Sequence, residues 1–346
     1  MADSVGQMSR RRALSMLALA YPMGTAIGPE GDSLQTQRLN SAELRKLMPS
    51  LSAPSQDRLL AVLNDSSLRG QIPASEVEAV ASVERASVDQ LMLDLLPIAQ
   101  LRSLAPLSHY HVGAVVRGTS GSLYLGANLE VPGHMLGLSV HAEQSAVANA
   151  FMHDEGGLTS IAITAAPCGH CRQFLNELSN APGLTLIIKG SGGTGRAGSA
   201  KLPALLPAAF GPNELGVAER LFNSKKVDLE LIAGVSDELT SAALGAAAKS
   251  YAPYTKAHSG VALIASSKTV YAGSYIENVA FNPSLSPLQA ALVGLIMGDE
   301  EPGRISSVVL VELEGAAISQ LSATQAVLEG LAPAARLRRV TARLRK

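Results

Sequence analysis

The chain has 346 residues, 47% hydrophobic and 16% charged, with 3% aromatic and no Trp. At roughly 100–200 residues per domain the length suggests two domains or three, and the composition argues against extensive disorder. A net charge of -1 gives no basic excess for a polynucleotide backbone, and no run approaches the ~18–20 apolar residues of a membrane span.

In chain order, Arg10, Arg11 and Arg12 precede a short apolar run, Ala13 to Ala20, which Pro22 interrupts. This is the outline of a twin-arginine export signal, but the apolar part is short and Met8 is an alternative start. A disordered leader and a cytoplasmic location are the preferred expectation, with export or organelle targeting as the alternative. Residues 25–84 carry helical periodicity through Leu44, Leu47, Leu51, Leu59, Leu60 and Leu63, with helix starts at Ser41-Ala-Glu-Leu and Ser75-Glu-Val-Glu. No catalytic constellation is visible there, and a packing or dimer-supporting segment is expected.

Residues 85–107 read as one more helix, with Val88, Leu91, Met92 and Leu95 on one face. Val112–Val116 and Leu123–Ala127 read as a hairpin around the turn Gly118–Ser122. Val140–His153 is an alanine-rich helix, Leu158–Ala165 a strand, Pro167–Leu178 a helix and Leu184–Lys189 a strand. The order β-β-α-β-α-β predicts parallel pairing in a sheet covered by helices. A literal G-x-G-x-x-G lies in residues 190–199, but Pro203 and Pro207 follow and the nearest acid is Glu214. A dinucleotide site needs a helix to open directly and a carboxylate about 20 residues on, so a flexible loop is expected.

The second half echoes the first. Gly260 aligns with Gly113, and Gly273-Ser-Tyr-Ile-Glu277 aligns with Gly126-Ala-Asn-Leu-Glu130. On this reading Pro287 and Gln289 fall where His141 and Glu143 stand, and the second half has no cysteine. A duplicated domain that keeps the fold and loses the chemistry is expected.

Chemistry concentrates in His141-Ala142-Glu143 and Pro167-Cys168-Gly169-His170-Cys171. Imidazole and thiolates are preferred zinc ligands, and three of them leave a fourth position for water. Glu143, at the first turn of a helix, reaches that water without ligating the metal. A redox C-x-x-C pair and a closed zinc site using His170 are the alternatives weighed. The spacing matches the known H-x-E…P-C-x-x-C signature of zinc deaminases.

With these residues, and with Phe210-Gly-Pro212 and Asn278-Val-Ala-Phe-Asn-Pro283, residues 85–346 resemble the two-domain, homodimeric zinc-dependent cytidine deaminases of bacteria and plants. The resemblance implies a three-layer α/β/α fold with a mixed sheet, duplicated and preceded by a small helical segment. It divides the chain into a leader and helical segment (1–84), a catalytic domain (85–215) and a degenerate copy (233–346). It implies one Zn²⁺ per chain held by His141, Cys168 and Cys171, and hydrolysis of cytidine and 2′-deoxycytidine to uridine and 2′-deoxyuridine in pyrimidine salvage. Activated hydroxide attacks C4 while Glu143 shuttles protons. Asn128 and Glu130 resemble the pair that binds the ribose 3′-hydroxyl. Tyr110 stands where the family has a Phe against the nucleoside, and the backbone at Ala142 and Ala166 faces the pyrimidine, Ala166 replacing a usual Thr. Phe210 matches an aromatic supplied to the neighbouring subunit's site, the alternative being simple core. A deaminase of single-stranded RNA or DNA and a non-enzymatic zinc module are the rival readings. Asn128, Glu130 and the charge balance disfavour the first, and Glu143 the second; no nucleic-acid or membrane partner is expected.

Overall fold

The computed structural model describes residues 40–190, 197–232 and 237–345. The Arg-rich leader therefore lies outside the described residues. The chain opens with α1 (Ser41–Lys46), α2 (Ala53–Leu63), a two-residue strand β1 (Gln71–Ile72) and α3 (Ala74–Glu84). Asn40 caps α1 by accepting from the Ala42 and Glu43 amides, while Glu43 returns to the Asn40 amide. The segment is not purely helical as its periodicity suggests. β1 pairs antiparallel with the later strand Leu123–Ala127, too short a strand to leave a period-2 signal. Met48, Leu59, Leu63, Ile72 and Val80 are buried in the main core.

Next come α4 (Val88–Gln100), β2 (Gly113–Gly118), β3 (Leu123–Ala127), α5 (Ala142–Met152), β4 (Leu158–Ile163), α6 (Gly169–Leu175), β5 (Thr185–Ile188), β6 (Gly198–Lys201) and the short α7 (Leu202–Leu205). The helix expected over 85–107 stops at Gln100, because Leu104 turns away to bridge Leu129. The one expected over 167–178 is shorter too. The first sheet has strand order β1-β3-β2-β4-β5-β6. Among the described residues its only parallel pair is β4 with β5. The connection from β3 through α5 to β4 steps over β2, so β4 runs parallel to β3 yet bonds antiparallel to β2. The glycine-rich run is not all loop: residues 191–196 lie outside the described residues, but β6 pairs antiparallel with β5 and forms the sheet's edge.

The second half repeats the plan: β7 (Leu229–Leu231), α8 (Glu238–Lys249), β8 (Ser259–Ile264), β9 (Val270–Ser274), α9 (Pro287–Met297), β10 (Ser307–Leu313), α10 (Leu321–Leu331) and β11 (Arg336–Leu344), with sheet order β7-β11-β10-β8-β9. Two glycines per half show the three layers. A Cβ on Gly113 would lie 2.6 Å from Gln100 N of α4, and one on Gly126 2.1 Å from Ala146 N of α5. Gly113 pairs with Ala127, and Gly126 with Ala114, so the two glycines face opposite sides of the sheet. Helices α4 and α5 therefore cover opposite faces. In the second half Gly260 meets Ala247 of α8, and Gly273 lies 2.1 Å from Ala291 N of α9. Helices α5 and α9 pack on each other, so the inner helical layers of the two halves join in one core.

These contacts correct the register of the repeat. Gly126 and Gly273 are 147 apart, but their helix partners Ala146 and Ala291 are 145 apart. The loop between strand and helix is two residues shorter in the second half. Ser286 is thus the N-cap at the place of His141, and Leu288, not Gln289, stands at the place of Glu143. A hydroxyl and an aliphatic chain stand where the first half has the imidazole and the carboxylate.

Candidate metal centre and nucleoside site

The two motifs meet where α5 and α6 begin. His141 is the N-cap of α5, in extended conformation, with its amide bonded to Gln144 Oε1 at 3.2 Å. Cys168 is the N-cap of α6 and Cys171 lies in its first turn. The donor atoms of His141, Cys168 and Cys171 all lie within 4.8 Å of one another, the only such group among the described residues. His141 turns Nδ1 to both sulfurs, 3.5 Å from Cys168 Sγ and 3.3 Å from Cys171 Sγ, and the sulfurs are 3.7 Å apart. Zn–S bonds of about 2.3 Å and a Zn–N bond of about 2.0–2.1 Å at tetrahedral angles require about 3.8 Å between sulfurs and about 3.5–3.6 Å from sulfur to nitrogen. The residues present fit zinc. His170 stacks obliquely near His141, ring centroids 5.5 Å apart, but does not join the donor group. Three donors are one short of a closed structural site.

The two sulfurs bear strongly on each other. Contact with Cys171, then with His141, pulls the Cys168 thiol down to about 3, whereas contact with Cys168, then burial, pushes Cys171 up. Two sulfurs this close divide into one thiolate and one thiol unless a cation balances both. Contact with Cys168 raises His141. Glu143, the second residue of α5, is buried, and burial raises its carboxyl, with His141, Cys171 and Cys168 the side chains that bear on it.

The second group of expected residues lies alongside. Leu129 and Val140 exchange backbone hydrogen bonds of 2.8 and 2.7 Å, which sets Asn128 and Glu130 beside the segment that ends in His141. Asn128 Oδ1 accepts from Val112 N at 2.8 Å and Ser103 Oγ at 2.6 Å; its Nδ2 donates to Tyr110 O at 2.9 Å. This fixes the amide and leaves Nδ2 with a second N–H to donate. Glu130 Oε2 accepts the Leu107 and Ser108 amides at 2.7 and 3.0 Å. Tyr110 is 60% exposed. Ala142 is buried at the start of α5, and Ala166 is exposed just before Pro167.

Phe210 is not core: it is 46% exposed, and its carbonyl accepts from Gln173 Nε2 at 2.8 Å and Asn176 Nδ2 at 3.2 Å of the α6 segment. Sequence reasoning missed Ser103, which holds Asn128, and Gln144, which donates to Pro283 O at 2.9 Å. Neither of these two contacts carries a local signal, since each reaches a residue distant in the chain.

Among the described residues no helix is long and apolar enough to cross a membrane. Comparison with known proteins matches residues 86–182 and 202–325 separately to the cytidine and deoxycytidylate deaminase zinc-binding region. The chain is 42% identical over 281 residues to a cytidine deaminase of Serratia proteamaculans, covering 81% of this chain and 93% of that one. It is 46% identical over 245 residues to a cytidine deaminase of Vibrio vulnificus, covering 71% and 80%, and 41% identical over 291 residues to one of Photobacterium profundum, covering 83% and 96%. Similarity of this extent, together with a donor set that fits the family's zinc, shows that the chain belongs to the cytidine and deoxycytidylate deaminase family.

Proposed function

We propose that the chain hydrolyses cytidine and 2′-deoxycytidine to uridine and 2′-deoxyuridine, releasing ammonia. One observation carries the reading: an imidazole and two sulfurs at tetrahedral-zinc spacing next to a buried carboxylate. His141 Nδ1, Cys168 and Cys171 hold the ion. Zinc supplies the Lewis acidity that makes water a nucleophile near neutral pH. Glu143 accepts the proton of the attacking water and passes it to N3 of the ring as the C4–O bond forms. It then takes the proton of the new C4 hydroxyl and gives it to the amino group; the C4–N bond breaks as the C4 carbonyl forms, and ammonia leaves. Burial of Glu143 suits a group that both takes and gives a proton.

Asn128 and Glu130 bind the ribose 3′-hydroxyl, the fixed amide N–H donating and the carboxylate accepting. Tyr110 lies against the nucleoside, and the backbone at Ala142 and Ala166 contacts the pyrimidine. Residues 85–215 form the catalytic unit, 233–346 the non-catalytic copy and 1–84 a leader with supporting helices. The exposed Phe210 ring supports a homodimer in which it reaches the neighbouring site. A small nucleoside is the partner, without nucleic acid. Two free cysteines used as metal ligands suit a reducing cytoplasm.

The test follows ammonia and absorbance with cytidine, 2′-deoxycytidine and a cytosine-bearing single-stranded oligonucleotide. Conversion of both nucleosides and not the oligonucleotide is expected; the reverse overturns the substrate reading.

A further inference from the structure

The helix that carries both sulfurs is held at its far end by the second half of the chain. Helix α6 is two turns long, with Cys168 and Cys171 at its start. Just beyond its end lies Glu177, which is fully buried. Its Oε1 accepts from the Tyr251 hydroxyl at 2.6 Å and from the Tyr254 hydroxyl, and its Oε2 accepts from Val279 N at 2.9 Å. Asn278 Nδ2 donates to Gln173 O, inside α6, at 3.0 Å. Four hydrogen bonds from the second half thus converge on one short helix and its exit. Burial, with Glu177 next, pushes both phenols up, so they stay protonated donors.

The tyrosines are themselves braced. Glu277 accepts from Tyr254 N at 2.8 Å, Thr255 N at 3.2 Å and the Thr255 hydroxyl. Its counterpart Glu130, 147 residues earlier, takes Leu107 N, Ser108 N and the Ser108 hydroxyl in the same pattern. In the first half this brace holds the loop leading to Tyr110. In the second half it holds the loop that grips α6.

We propose that Tyr251, Tyr254 and Asn278 of the second half, acting through Glu177 and Gln173, are positioning residues for the two thiolate ligands. The copy without chemistry fixes the metal helix of the copy with it. A carboxylate buried between two halves of a molecule is stable only when its donors are in place. Their removal therefore frees α6 to shift, and with it the sulfur spacing that suits zinc. This rests on Cys168 and Cys171 being the ligands.

The test is the rate at which a strong chelator strips zinc from the full-length, zinc-loaded chain. Tyr254→Phe, and Tyr251→Phe with Tyr254→Phe, keep the rings and remove only hydroxyls; Tyr254→Phe leaves the Tyr251 and Val279 bonds to Glu177 in place, so it keeps the fold where Glu177→Ala risks it. Support by residues around metal ligands is worth about 10–100-fold in affinity, and zinc loss from the double variant is expected to speed up by about that factor, with circular dichroism unchanged. Asp154→Asn is the control. It removes a contact between the halves, to Lys249 at 2.8 Å, at the opposite end of α5 from His141, and Asn tolerates the positive φ there. Its zinc loss is expected to match the unmodified chain. Wild-type zinc loss in the tyrosine variants overturns the proposal, and so does equal acceleration by Asp154→Asn, which would mean general loosening. Cys171→Ser separates the two readings: a full equivalent of tightly held zinc in that variant refutes the ligand assignment itself.

Discussion

Gln144 and Gln289 stand at the same place in the two copies, and each reaches into the other half. Gln144 Nε2 donates to Pro283 O at 2.9 Å, and Gln289 Nε2 donates to Leu138 O at 2.7 Å. Each also accepts its own helix's N-cap amide, from His141 and Ser286. The pair makes a near-twofold seam between α5 and α9, and Gln144 ties that seam to the residue bearing the imidazole.

Truncation of either glutamine leaves carbonyl and amide partners unmatched. Gln144→Ala and Gln289→Ala are each expected to lower stability by about 1–3 kcal/mol, read as a reduced denaturation midpoint. Turnover should be nearly unchanged in Gln289→Ala. A large loss of kcat in that variant, with zinc retained, would give the second half a part in the chemistry.

Glu143→Ala separates proton transfer from metal binding. The carboxylate is outside the donor group, so zinc content should stay the same. The rate should fall by ~10²–10⁴-fold, the usual contribution of a positioned acid–base group. Steady-state kinetics beside metal analysis check both parts.

The thiolates cannot be replaced from elsewhere in the chain. The second half offers Ser286 and Leu288 where the first has His141 and Glu143, and no cysteine follows Cys171. Cys168→Ala should therefore bind no zinc tightly and melt at a lower temperature. Elemental analysis finding one ion per chain would refute this.

Gly126 tests the packing that aims His141. A methyl there meets the backbone of α5 at 2.1 Å rather than a yielding side chain. Gly126→Ala should destabilise by at least about 1–3 kcal/mol and reduce kcat by moving the helix start. Thermal unfolding and kinetics measure the two effects.

Much of this was legible in the residues. Strands β2 to β5 and helix α5 are legible as short apolar runs between turn residues and as an alanine-rich stretch, and the grouping of His141, Cys168 and Cys171 as a match to a known signature. What stayed hidden depends on distant partners. β1 is two residues long and exists because β3 offers it an edge. β6 sits in a glycine-rich run and exists because β5 does. The register of Ser286 and Leu288 is hidden in the sequence because the loop before α9 is two residues shorter than its counterpart before α5, a difference visible only through the helix contacts of Gly126 and Gly273. Glu177 lay inside the most family-like stretch, yet nothing in that stretch says that two tyrosines more than 70 residues away share its carboxylate.

The most direct measurement is a zinc titration of the metal-free full-length chain, reading ammonia released from cytidine. Activity should be absent without metal, rise in proportion to added zinc, and level off at one equivalent per chain. Ammonia release without zinc, or none at one equivalent bound, would contradict a deaminase built on His141, Cys168 and Cys171.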